Sequence, residues 1–296
     1  MDEDWLDDLS QEEEEEQLEM VRRHRLMPYL REETLPTVFC EGCGCGTVLN
    51  GYAHAMDELG IRPEDLISVT GIGCSSWIPS PYLKGDTLHT THGRAIAFAT
   101  GVKVMRPDKH VVVIAGDGDL AGIGGNHLIH AARRNVGISV FLINNFIYGM
   151  TGGQVSPTTP TGVRTTTSPY ENVEHPFDIA ELVAAAGANY VARWTTYHVF
   201  PLMESMQNAM KKDGFSFIEI YTQCPTSYGR RVGMRKGEDF LRLFKERSVR
   251  IEKARGMSEE ELEGRFVIGK LVERDREEYT VSLRAMNERV QREAKG

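Results

Sequence analysis

The stretch HVVVIAGDGDLAGIGGNHLIHAARRN, residues 110–135, decides the fold. Its first half is an unbroken apolar β-rich run. The run ends in GDGD at 116–119 and passes into a helical pattern. A run of Val and Ile without polar alternation suits a strand buried on both faces, and that implies a parallel sheet covered by helices. Gly116 and Gly118 allow the backbone to come close to a ligand, and the helix N-terminus beyond them offers free N–H groups to an anion. Asp117 faces a phosphate favourably only with a cation between them. Mg²⁺, which takes oxygen ligands and keeps phosphate oxygens in its shell, is the natural reading.

The same grammar recurs along the chain. LISVT (66–70) leads into GIGCSS, ISVFLINN (138–145) into FIYGMTGGQ, and FSFIEIY (215–221) into TQCPTS, with a weaker strand at ANYVARW (188–194). In open α/β sheets, ligands bind beyond the carboxyl ends of the strands. Cys74, Asp117, Asn145 and Cys224 are therefore expected on one rim of one sheet. A second oxygen donor to the cation should come from the next strand end. Asn145, 28 positions after Asp117, is well placed, and Asn144 competes with it. The segment 155–176, rich in Thr and Pro, reads as a long functional or mobile loop.

Charge excludes one class of function. The chain has 296 residues and a formal net charge of −9, but residues 1–19 alone hold eleven acids and no Lys or Arg. Without them, 34 basic residues face 32 acidic ones. A near-neutral body with no basic stripe argues against nucleic-acid binding. No apolar run approaches the roughly 18 residues of a membrane span, and a cytoplasmic protein is expected. Three regions follow: an acidic, weakly ordered extension (1–30), an α/β domain (31–235) and a C-terminal extension packing on the body or a partner (236–296). The last offers a possible edge strand at 265–273 and a final amphipathic helix.

Five cysteines remain: Cys40, Cys43, Cys45, Cys74 and Cys224. A reducing compartment keeps them from being disulfides, so metal binding is their leading use. Four thiolates suit either tetrahedral zinc or a [4Fe–4S] cluster, and spacing alone does not separate the two. One CxxC joined to two isolated, distant cysteines differs from the paired knuckles of structural zinc.

GDG followed by NN resembles the cofactor motif of thiamine-diphosphate enzymes. The fuller run, GDGDLAGIGGNHLIHAARRN with NNFIYGMTGGQVSPTTP, resembles the β subunit of 2-oxoacid:ferredoxin oxidoreductases over roughly residues 36–235. The resemblance implies the diphosphate-binding type of thiamine diphosphate fold. It places Mg²⁺ on Asp117, Asn145 and the backbone carbonyl of Ile147. It places the diphosphate among Ile72, Gly73, Cys74, Ser75, His92, Gly116, Gly118, Asp119, Gly149 and Met150. It assigns one [4Fe–4S] cluster to Cys40, Cys43, Cys74 and Cys224. Family members often carry CPGCGHG where this chain has CEGCGCG, so Cys45 is read as a spare thiol.

The implied reaction is CoA-dependent oxidative decarboxylation of a 2-oxoacid, with one-electron transfers through the cluster to ferredoxin. 2-Oxoglutarate is favoured over pyruvate. The carboxylate that activates the aminopyrimidine has no candidate on this chain, which implies a larger α subunit, as α₂β₂. A zinc-stapled scaffold subunit and a cluster-free thiamine decarboxylase are the competing readings.

Overall fold

The computed structural model describes residues 24–295. Residues 1–23, which include the acidic segment, lie outside the described residues. The packed body reaches back further than residue 31, because Leu26 and Tyr29 are buried in the core and Leu30 bridges to Leu83.

Eight strands form one sheet: β1 Leu66–Thr70, β2 Asp86–His89, β3 His110–Gly116, β4 Ser139–Asn144, β5 Tyr190–Thr195, β6 Ser216–Tyr221, β7 Ser248–Arg250 and β8 Phe266–Glu273. Their order across the sheet is β2-β1-β3-β4-β6-β5-β8-β7. The first six are parallel, and β8 runs antiparallel to β5. The seven helices of eight or more residues among the described ones are α1 Gly44–Leu59, α2 Ala95–Met105, α3 Gly125–Arg134, α4 Ile179–Ala186, α5 Val199–Lys211, α6 Gly237–Arg247 and α7 Tyr279–Glu293.

The unbroken apolar strands divide their side chains between two cores, as the period of two requires. Val112 and Ile114 of β3 join Phe141 and Ile143 of β4 under α1 and α5, with Tyr52 and Met206. Val111 and Val113 join Val140 and Leu142 on the other face, under α2, α3 and α4, with Leu128 and Val183. The strand pairing Val113↔Val140 and Ile114↔Phe141 keeps each set on its own face.

Two features place the site. After β1 the chain turns outward to β2, whereas after β3 it turns the other way to β4. The switch point therefore lies between β1 and β3, and the crevice there opens between Gly71–Cys74 and Gly116–Asp119. The C-terminal region enters the same sheet. The strand expected at 265–273 is β8, but it is not the edge, because the three-residue β7 caps it. From that region Phe240, Phe244 and Phe266 pack on Phe146, Tyr221, Tyr228 and Cys224. These rings form an apolar wall behind the site. Helix α7 is mostly exposed.

Candidate active site

Two cavities open along the carboxyl rim of the sheet. One, of about 300 Å³, lies at the switch point and is bounded by the Ile72–Ser75 turn, His92, Gly116–Asp119 and the 145–151 turn. All the residues expected to line a diphosphate border it, as do Asp117, Asn145 and Ile147. The second, of about 340 Å³, is bounded by Cys40, Cys43, Cys74 and Cys224, with Val38, Phe39, Trp77 and Pro225–Ser227. Cys74, Asn145, Gly149 and Met150 belong to both, so the cavities share a wall.

Asp117 is 2% exposed. Its Oδ2 accepts hydrogen bonds from the hydroxyls of Ser156 and Thr158, each at 2.6 Å. Burial pushes this carboxyl up to about 6, although the two hydroxyls act in the opposite direction. The long Thr/Pro loop is thus a clamp, and Ser156, Thr158, Thr159 and Asn172 within it are all buried. Ser156 and Thr158 were not among the expected site residues. Their position in VSPTTP, directly after the NxxYGMTGGQ string, was the available signal.

The two asparagines differ in their surroundings. Asn144 is buried, donating from Nδ2 to Glu219 Oε1 at 2.8 Å and accepting the Phe146 N–H at Oδ1. Glu219 in turn accepts from Arg193 Nε at 2.7 Å, and Arg193 reaches Asp178. This buried chain anchors the end of β4 and occupies Asn144. Asn145 faces the cavity, its Oδ1 accepting the Ile147 N–H at 3.2 Å. Phe146 between them has φ +64°, a left-handed conformation that costs a non-glycine residue about 1–2 kcal/mol. Stacking on Tyr221 and contact with Tyr228 hold it there. The kink turns Asn145 and Ile147 toward one cavity while Phe146 packs into the wall.

Asp119 borders the cavity, but its Oδ1 lies 2.7 Å from His92 Nδ1 and accepts the Gly93 N–H. Burial raises its pKa, with the Gly93 N–H and His92 opposing that effect. A Cβ on Gly71 would sit 1.9 Å from Asp119 Oδ2, so only glycine fits beside this carboxylate. Tyr148, also unanticipated, donates its hydroxyl to the Gly118 carbonyl at 3.0 Å and meets His92 edge-on.

The five cysteines fall into two different surroundings. Cys45, in the first turn of α1, is 2% exposed, packs into the core and lies outside the cavity bounded by the other four. Its thiol is pushed well up, first by its hydrogen bond to Cys43 and then by burial. Among the described residues, no three His, Cys, Asp or Glu side chains converge as a single metal ion requires. The four thiols surround a volume instead. At Gly149 a Cβ would lie 3.7 Å from Cys224 Sγ and 3.9 Å from Cys74 Sγ. The absent side chain leaves both sulfurs facing open space.

Comparison with known proteins gives the family. Residues 71–220 match the thiamine pyrophosphate enzyme C-terminal TPP-binding domain. The chain is 53% identical to the 2-oxoglutarate synthase subunit KorB of Methanocaldococcus jannaschii over 91% of its own length and all of that protein. It is 51% identical to the KorB subunit of Archaeoglobus fulgidus over 74% of its length and 79% of that protein. Its fold matches the structure of 2-oxoglutarate:ferredoxin oxidoreductase from Magnetococcus marinus, solved with 2-oxoglutarate, coenzyme A and succinyl-CoA bound. That match has a TM-score of 0.80 and 34% identity and covers 91% of each chain. With the diphosphate-type crevice at the switch point and four thiols beside it, this chain belongs to the β subunits of the 2-oxoacid:ferredoxin oxidoreductases.

Proposed function

We propose that this chain binds Mg²⁺–thiamine diphosphate and one [4Fe–4S] cluster in a CoA-dependent 2-oxoglutarate:ferredoxin oxidoreductase, and that a larger α subunit completes the site as α₂β₂. The observation that carries the reading is the shared wall. Cys74, Asn145, Gly149 and Met150 border both the crevice of Asp117 and the cavity of the four thiols.

The residues fit the groups. Asp117, the Asn145 amide oxygen and the Ile147 carbonyl are hard oxygen donors of the kind Mg²⁺ takes. Asp117 is buried without a cationic partner among the described residues, an arrangement that a divalent ion would complete. Cys40, Cys43, Cys74 and Cys224 would hold the cluster, and all four are free of disulfides. When bound, thiamine diphosphate supplies carbanion chemistry at a 2-oxo carbon and the cluster supplies one-electron steps.

The chain's own work is positioning. Ser156 and Thr158 orient Asp117, the Phe146 kink aims Asn145, and Gly149 leaves room between Cys74 and Cys224. No helix among the described residues is long and apolar enough to cross a membrane.

The test is turnover by the complex purified with its partner subunit, with viologen dye or ferredoxin as acceptor and several 2-oxoacids in parallel. The highest kcat/KM is expected with 2-oxoglutarate, strictly dependent on CoA. Turnover that needs no electron acceptor would refute the reading in favour of a simple decarboxylase.

A further inference from the structure

A cationic stretch of chain follows Cys224, one of the four thiols that bound the second cavity. Between Cys224 and Lys236 the chain reads CPTSYGRRVGMRK, with Arg230, Arg231, Arg235 and Lys236 and no acid. Such a concentration stands out in a body whose charges otherwise nearly cancel. Two observations tie it to the cysteines. The Cys40–Cys43 loop rests backbone-to-backbone on the residue after Lys236: a Cβ on Gly42 would lie 2.9 Å from Gly237 N. Arg231 donates to the Gly152 carbonyl at 3.1 Å, just beyond Gly149 and Met150 in the wall shared by the two cavities.

Arg230 and Arg235 are exposed and make no ion pair among the described residues. Lys236 is partly neutralised by Glu238 at 3.7 Å, and the nearby acids are Glu41, Glu238 and Asp239. At the same face Cys40 is exposed and Val38 is 68% exposed. Residues that line the thiol cavity therefore also reach solvent, as an electron-transfer contact requires.

We propose that Arg230, Arg235 and Lys236, around the exposed Val38–Cys40 rim, form the docking surface for an acidic one-electron carrier, which rests on the cluster reading of the thiol cavity. In the transfer the reduced cluster loses one electron and the carrier gains it, with no bond made or broken. Exposed cations of this kind act by steering the encounter, and the effect weakens as salt rises. Weak redox encounters use small interfaces, so a few charges carry much of the affinity.

The test uses the complex with its partner subunit and oxidised ferredoxin as probe, with binding read by titration at low and high salt and viologen reduction run alongside. Arg230→Glu with Arg235→Glu is expected to raise the ferredoxin Kd at least tenfold and to flatten its salt dependence. Iron content and the viologen rate should stay as in the wild type. Arg230→Gln with Arg235→Gln should give an intermediate Kd, and it replaces the double reversal if that variant loses iron. A Kd within twofold of wild type with an unchanged salt slope overturns the surface. Wild-type complex that binds ferredoxin through these arginines but holds no iron overturns the cluster reading alone.

Discussion

Replacing Glu219 by Gln keeps the side chain's shape and removes its charge, at a point where the fold and the site meet. Glu219 lies in β6 and is 1% exposed. Both its oxygens accept hydrogen bonds, Oε1 from Asn144 and Oε2 from Arg193. A glutamine must turn its NH₂ toward one of those donors, so one buried N–H loses its acceptor. Arg193, itself buried, keeps only Asp178 as a carboxylate partner among the described residues, and that side chain is half exposed. Breaking a buried pair from one side costs about 3–5 kcal/mol. At roughly 2–3 °C per kcal/mol for a domain of this size, melting should fall by about 6–15 °C. Asp178→Asn is the control, since an ion pair with one partly solvated member is worth about 1 kcal/mol or less. Thermal unfolding followed by circular dichroism reads both variants. Melting of Glu219→Gln within about 2 °C of wild type would refute the claim that this chain anchors the end of β4.

Three further outcomes follow from the site itself. Asp117→Ala should abolish Mg²⁺-dependent thiamine diphosphate binding, measured by calorimetry, while iron content is retained. Cys224→Ser should lose iron and colour, whereas Cys45→Ser should keep both; the reverse result would assign the wrong sulfurs. Gly149→Ala should fold normally, because its Cβ would meet no protein atom closer than 3.7 Å. It should nevertheless carry less iron per chain, since that Cβ points between the Cys74 and Cys224 sulfurs.

Several of these elements were legible in the sequence for simple reasons. Strands buried on both faces must be continuously apolar, so β1, β3, β4 and β6 announced themselves, and GDGD and NN marked their ends. β2, half exposed at the sheet edge, and the three-residue β7 carry too little pattern to be read. Asn144 and Asn145 could not be separated by spacing. The distinction rests on Glu219, which is 75 positions away and was unremarkable as one acid inside FSFIEIY. Ser156 and Thr158 were hidden for a related reason: their place after NxxYGMTGGQ marks the loop, but which of its many hydroxyls reach Asp117 appears only once the loop folds back. Cys45 stands apart in the sequence only through a departure from the family's pattern, whereas its burial in the core is visible only in the fold.

The central claim is that the four thiols hold an electron-transferring cluster beside the cofactor crevice. Anaerobic addition of 2-oxoglutarate and CoA to the purified complex, followed by visible absorbance and iron analysis, tests it most directly. About four irons per β chain are expected, in brown protein that bleaches on substrate addition and recovers with ferredoxin. Colourless protein with stoichiometric zinc, or a brown colour indifferent to substrate, would contradict it.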